Sequence, residues 1–390
     1  MLLYAIFYIH IITMSSRITW KLYYTTYTTM NIHVERIFKQ PGFAETLYLC
    51  TCEGRRIIRK ASNPDAFPFS RTALVREIRL LSNLAPSLKP YFPEIIRTNL
   101  DDHAGDDPAS AGCIYYDMPY YAPEDGWVTL SDFLLDGIAS RDRAYRVLGE
   151  ILDTAFMYFT IDNREPDEDY VEKTMLCTIR ENLSWAFSQP DYQMLFNLKN
   201  ISLSGKPVKN FPELEEYFQN TPLTKSILTP RRDRFLHGDF FPENILYNMK
   251  TGKWILLDPV SVRGVHRGDF ILDINKMDDW LSGELPALRM GQFKVDITGN
   301  TVDFVIFNRL GKLGNLHRLG LSEWYRKRLD APEYAGLFSQ EPGWRLRHVF
   351  VKVFYSLCML PLADTKQAIA RYFLALRAMA DFIELQEIGY

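Results

Sequence analysis

The chain has 390 residues, 47% of them apolar and 24% charged, enough to bury a sizeable core and too many for one small disulfide-stapled module. Lys and Arg number 45 against 48 Asp and Glu, a net charge of −3, so no broad basic field addresses nucleic acid or an anionic membrane. Five cysteines (Cys50, Cys52, Cys113, Cys177, Cys358), without the spacing of a zinc ribbon or a disulfide framework, fit a reducing cytoplasm.

The opening run MLLYAIFYIHIITM is apolar but too short to cross a bilayer as a helix, and no Lys or Arg precedes it as a signal peptide requires. Residues 1–30 therefore read as an extension outside the core. From His33 the pattern turns to short alternating runs, 33–39, 46–52 and 55–61, separated by turns at Pro41-Gly42 and Glu53-Gly54. These predict three antiparallel strands. In Ser70 to Leu84, Leu74, Ile78, Leu81 and Leu84 form one helical stripe, with Ser70 as the expected N-cap. Strands around 94–100 and 112–118 flank an Asp- and Gly-rich surface loop and bring the sheet to five.

Past Asp125-Gly126 the chain turns helical. Ala144, Val147, Leu148, Ile151, Leu152, Ala155 and Phe159 follow i, i+3, i+4, i+7 spacing, and 169–187 repeats it more loosely. Residues 200–218 read as an inserted hairpin. Two short apolar strands flank Lys250-Thr251-Gly252 within 236–259, and helices resume around 270–281 and 344–384.

The sharpest signal is His237-Gly238-Asp239-Phe240-Phe241-Pro242-Glu243-Asn244, followed after a strand by Asp258. A carboxylate five residues before an amide, on a loop entering a hairpin, can aim both side chains into one cleft, and the strand pair brings a second carboxylate beside them. Phosphoryl transfer needs this set: one Asp to take the proton of the attacking hydroxyl, an Asn and a second Asp to hold magnesium against a nucleotide's phosphates. A metal hydrolase is the rival chemistry, because His237 and Asp239 have ligand spacing and His266 follows. Seven scattered histidines supply no second paired cluster for it.

On these residues the chain resembles the aminoglycoside phosphotransferase and choline kinase group, small-molecule kinases with a protein-kinase-like fold. HGDFFPEN matches that family's catalytic loop and ILLDP its metal-binding strand end. The resemblance implies Asp239 as catalytic base, Asn244 and Asp258 as magnesium ligands, and Asp273, in GDFILDINKM, as a partner of the catalytic-loop backbone. Kinases also use a strand lysine on the phosphates and a helix glutamate that holds it. Lys60, at the end of the third strand, and Glu77, in the following helix, fit; Arg59 points to the opposite face by the period of two. The turn 40–46, with the single glycine Gly42, stands where backbone amides would cover the phosphates. Asp117, Pro119 and Tyr121 fall where the family's interlobe hinge binds adenine through backbone atoms.

The fold expected is α+β and two-lobed: 31–121 a five-stranded nucleotide-binding sheet with one helix and the hinge, 122–390 a helical lobe with the catalytic hairpin and acceptor site. The implied cofactors are ATP and Mg2+, the implied partner a small molecule with a hydroxyl group. For that acceptor two charge groups compete, Arg263, His266 and Arg267 against Asp278, Asp279 and Glu284, with Trp280 as an aromatic wall or a core residue. A protein kinase is disfavoured by HGD in place of HRD and by the lack of DFG and APE segments. A nucleotide-binding module without turnover is the other alternative; the poor glycine loop favours it and the intact Asp239, Asn244 and Asp258 oppose it.

Overall fold

The computed structural model describes residues 32–38, 45–64, 69–100, 113–261 and 264–389. The chain is α+β and divides into two compact units. One runs up to Leu84 and takes in Pro93–Tyr121; the other comprises Ala85–Phe92 and everything from Ala122 onward. Ala85–Phe92, inside the segment assigned from sequence to the first lobe, thus clusters with the larger unit. Residues 1–30 and the turn holding Gly42 lie outside the described residues.

The smaller unit is an antiparallel sheet of β1 (Ile32–Ile37), β2 (Glu45–Cys52), β3 (Arg55–Ser62), β4 (Arg97–Thr98) and β5 (Tyr115–Pro119), in the order β1-β2-β3-β5-β4. Helix α1 (Ser70–Ser82) buries Ser70, Arg71, Leu74, Glu77, Ile78 and Leu81, a stripe at three- and four-residue spacing. Ser70 is not the N-cap. Phe69 takes that position without a side-chain bond, and the Ser70 hydroxyl instead accepts the Asn63 N–H at 3.0 Å, tying the helix start to the end of β3.

The larger unit is built on helices Arg141–Ile161, Ile271–Leu281, Trp344–Cys358 and Thr365–Ile388, whose buried faces are mainly aliphatic and aromatic, with Asp273, Asn275, Lys276 and Asp278 also buried on the second. The last two replace one helix expected over 344–384. Pro361 breaks it within the turn Leu360–Leu362, and Asp364 caps the new helix by accepting the Gln367 N–H at 3.0 Å.

Two small sheets place the loop between them. Strand Asp233–Phe235 lies between Asn163–Arg164 and Arg267–Gly268, and strand Ile245–Asn248 between Trp127–Thr129 and Trp254–Leu256. The inserted hairpin is present as Ile201–Leu203 and Lys206–Val208. It joins a second hairpin, Phe293–Thr298 with Thr301–Ile306, in a four-stranded sheet that the sequence reading did not anticipate. No helix among the described residues is long and apolar enough to cross a membrane.

Candidate active site

In the smaller unit the two faces of β3 carry two separate ionic clusters. Lys60 lies opposite Tyr116 in the β3–β5 register, and both side chains reach Glu77 on α1. The Lys60 ammonium donates to Oε1 and Oε2 of Glu77 at 2.9 and 2.7 Å, while the Tyr116 hydroxyl donates to Oε1 at 2.8 Å. All three are buried. One residue away the side chains point to the other face: Arg59, opposite Asp117 in register, donates to both its carboxylate oxygens at 2.8 and 3.1 Å and stacks its guanidinium on Tyr115. Arg97 of β4 bonds the same carboxylate. So Lys60, not Arg59, meets the helix glutamate, as strand periodicity demands.

That arrangement places Asp117 inside the sheet. Its carboxylate joins Arg59 and Arg97, and its carbonyl accepts the Ile96 N–H at 2.8 Å. Pro119 is the last residue of β5, opposite Ile57, and Tyr121 follows beyond the strand. Burial, helped by the charge of Glu94, pushes the Tyr121 phenol up to about 12, so it is a neutral hydroxyl at ordinary pH.

In the larger unit the chain leaves strand Asp233–Phe235 and turns sharply at Gly238, whose φ is +84°. A Cβ there would sit 2.0 Å from the Val260 carbonyl oxygen, so only glycine fits. The approach is close because the Val260 N–H donates to the His237 carbonyl at 2.7 Å. Asp273, in helix Ile271–Leu281, accepts the His237 and Gly238 N–H groups at 2.8 Å each and the Tyr158 hydroxyl at 3.1 Å. Complete burial nevertheless pushes its carboxyl up to about 7, against those three bonds, which favour the anion. It binds loop backbone and faces no open space.

Asp239 is thereby presented at the loop's end. Asn244 donates its amide to the Asp239 carbonyl at 3.0 Å and to Oδ2 at 2.9 Å. Its own Oδ1 takes no hydrogen bond among the described residues, leaving the oxygen that a hard divalent cation prefers. Asp258 follows strand Trp254–Leu256, and the Leu257 N–H donates to the Asn244 carbonyl at 2.8 Å. Asp258 therefore lies between two tethers, Leu257 to Asn244 and Val260 to His237. It is half-buried with φ at +55°, a left-handed conformation that costs a non-glycine residue about 1–3 kcal/mol. Asp239, Asn244 and Asp258 thus belong to one stitched loop pair. Among the described residues no group of three or more His, Cys, Asp or Glu converges as a metal site.

No family model matches the chain. Over 82 residues it is 37% identical to a non-specific serine/threonine protein kinase of Drosophila melanogaster, a stretch spanning 21% of this chain and 11% of that protein. Among solved structures it is similar to the aminoglycoside phosphotransferase APH(4)-Ia, at 13% identity and a TM-score of 0.45 over 89% of this chain and 94% of that one. A thermostable mutant of that enzyme, in ternary complex with ADP and hygromycin B, aligns at 15% identity and a TM-score of 0.44 over 89% and 95% of the two chains. A glucosamine kinase aligns at 10% identity and a TM-score of 0.42 over 90% and 92%.

Sequence reasoning missed three residues that hold these groups: Tyr116 on Glu77, Tyr158 on Asp273, and Lys276, whose ammonium pairs with Asp239 Oδ1 at 2.9 Å. Lys276 stands three residues after Asp273, so helical periodicity already puts both on one face. Of the residues weighed for the acceptor, Asp278, Asp279, Glu284 and Arg267 are engaged within the unit. Asp278 meets Arg326 and His348; Asp279 and Glu284 meet Lys352, and Glu284 also Arg377. Arg267 meets Asp162 and Asp233, and Arg263 lies outside the described residues. Trp280 is fully buried and donates to Glu243 at 3.1 Å, which makes it core and not an aromatic wall.

Proposed function

We propose that the chain is an ATP-dependent phosphotransferase that moves the γ-phosphate to a hydroxyl of a small molecule, such as a sugar, an amino alcohol or an aminoglycoside-like compound. The observation that carries this reading is the fixing of Asp239 beside Asn244 by two hydrogen bonds, with Asp258 held between two backbone tethers to the same loop. In the step proposed, the acceptor oxygen bonds to the γ-phosphorus, the bond from that phosphorus to the β–γ bridging oxygen breaks, and ADP leaves. The hydroxyl proton passes to the Asp239 carboxylate.

Asn244, through Oδ1, and Asp258, through its carboxylate, are the residues that would hold magnesium. Two protein oxygens suit an ion that completes its shell with phosphates and water. When bound, the ion neutralises charge on the phosphate oxygens. Lys60 is assigned to the α and β phosphates, with Glu77 and Tyr116 fixing its side chain. The turn holding Gly42 is assigned to the phosphates by its place between the first two strands. Adenine is assigned to the backbone of Pro119 and Tyr121, while Asp117 serves the sheet.

The test is a panel of hydroxylated acceptors, sugars, amino alcohols, aminoglycosides and protein, read by ADP release. Stimulation by a small compound supports the reading. Phosphate incorporated only into protein would favour a protein kinase, the reading to which the Drosophila relative lends its name. ATP binding without ADP release would favour a binding module.

A further inference from the structure

We propose that Lys276 is a positioning residue of the phosphotransfer step, holding the Asp239 carboxylate in the orientation from which it takes the acceptor's proton. This rests on the reading of Asp239 as the base. The Lys276 ammonium lies 2.9 Å from Asp239 Oδ1, with the two side chains 7% and 8% exposed. Asn244 grips the other oxygen, Oδ2, at 2.9 Å. An ion pair at the buried Oδ1, without hydrogen-bond geometry, and a hydrogen bond at Oδ2 together oppose rotation about the last torsion, and Oδ2 keeps a second lone pair for an incoming proton.

The geometry has a common source. Asp273 and Lys276 are one helical step apart on helix Ile271–Leu281; Asp273 binds the His237 and Gly238 amides and Lys276 binds the side chain that follows them. One helix face therefore sets both the loop's backbone and its reactive group. The lysine itself is steered by rings, its ammonium 4.3 Å from the Tyr355 ring centroid and 5.7 Å from that of Phe241.

A purely structural ion pair is a weak explanation for this lysine, because burying two charges costs about as much as their attraction returns. What a two-point grip supplies is orientation, and misplacing a reacting group by about 1 Å costs on the order of 100-fold in rate.

The experiment measures ADP release from ATP and magnesium, with water as acceptor, for the wild type, Lys276→Met, Lys276→Arg, Asp239→Asn and the Asp239→Asn/Lys276→Met double variant. Thermal melts first establish that each is folded. Lys276→Met is expected to lower kcat roughly 10- to 100-fold and leave the KM for ATP within about twofold, since orientation and not nucleotide binding is lost. Lys276→Arg, which keeps the charge on a different geometry, should retain part of the rate. In the Asp239→Asn background the lysine change should cost less than about twofold more, because residues acting as a unit do not multiply.

Unchanged kcat in a folded Lys276→Met, or losses that multiply in the double variant, overturns the inference and leaves the base assignment standing. Should Lys276→Met not fold, Lys276→Arg decides: a raised KM with unchanged kcat overturns the inference, and a lowered kcat at unchanged KM supports it. Wild-type turnover in Asp239→Asn, or no ADP release from the wild type with water or with any acceptor of the panel, overturns both readings.

Discussion

Replacing Glu77 by Gln separates what the buried Lys60 cluster does for the fold from what it does for a nucleotide. Lys60 and Glu77 are 4% and 6% exposed at their side chains and joined at 2.7 and 2.9 Å, with Tyr116 as a third member. Glu77→Gln leaves the ammonium without its countercharge in a site that water barely reaches, and breaking one partner of such a pair costs about 3–5 kcal/mol. Lys60→Met removes the countercharge of the buried carboxylate and should cost a similar amount. The double variant Lys60→Met/Glu77→Leu removes both charges and fills the space with apolar atoms. It should recover most of that stability.

Nucleotide affinity should behave differently. A charge-assisted bond to phosphate contributes about 1.5–3 kcal/mol, so every variant lacking Lys60 should bind ATP with magnesium roughly 10- to 100-fold more weakly, the restabilised double variant included. Urea unfolding gives the first quantity and calorimetry the second. Wild-type affinity in the double variant would refute the phosphate role of Lys60, and single variants as stable as the wild type would refute the energetic account of the cluster.

Two further outcomes follow from the loop. Gly238→Ala drives a methyl to within 2.0 Å of the Val260 carbonyl at φ +84°, so it should separate the HGD turn from the segment after Asp258 and lower turnover at least about 100-fold, measured by ADP release. Asp273 has its pKa raised on folding to about 7, so its contribution to stability is fully present below the unfolded value and is lost as pH rises through about 7. Asp273→Asn should therefore show less fall in melting temperature between pH 4 and 8 than the wild type, by up to about 1.4 kcal/mol per pH unit of linked stability. Parallel pH profiles for the two proteins would contradict that assignment.

Much of the site was legible in the chain because its signals are local. His237 to Asn244 is one loop and Asp258 one hairpin away; Asp273 was expected on the loop backbone and accepts the His237 and Gly238 amides. The period of two separated Lys60 from Arg59 before any partner was known. What escaped depends on register and on distant packing. Tyr116 meets Glu77 only because β5 pairs with β3 at Lys60, and Tyr158 reaches Asp273 across 115 residues. Ser70 was misassigned as a cap because its hydroxyl had a competing partner, the Asn63 N–H. The hairpin Phe293–Ile306 alternates apolar and polar residues from Phe293 to Phe304 around Gly299-Asn300 and should have been found. The acceptor remained open because the charges weighed for it, apart from those of Arg263 and His266, are paired with neighbours that helical and strand periodicity do not reveal.

The central claim is the division of labour between Asp239 and Asp258, and the direct measurement compares Asp239→Asn with Asp258→Asn by nucleotide-analogue titration and single-turnover kinetics, after each is shown to be folded. Asp239→Asn keeps the shape but cannot accept a proton, so turnover should fall about 10²- to 10⁴-fold with little change in affinity for ATP and magnesium. Asp258→Asn removes a charge from the cation site, so turnover and magnesium-dependent nucleotide binding should fall together. Equal losses of nucleotide binding in the two variants, or wild-type turnover in Asp239→Asn, would contradict the account.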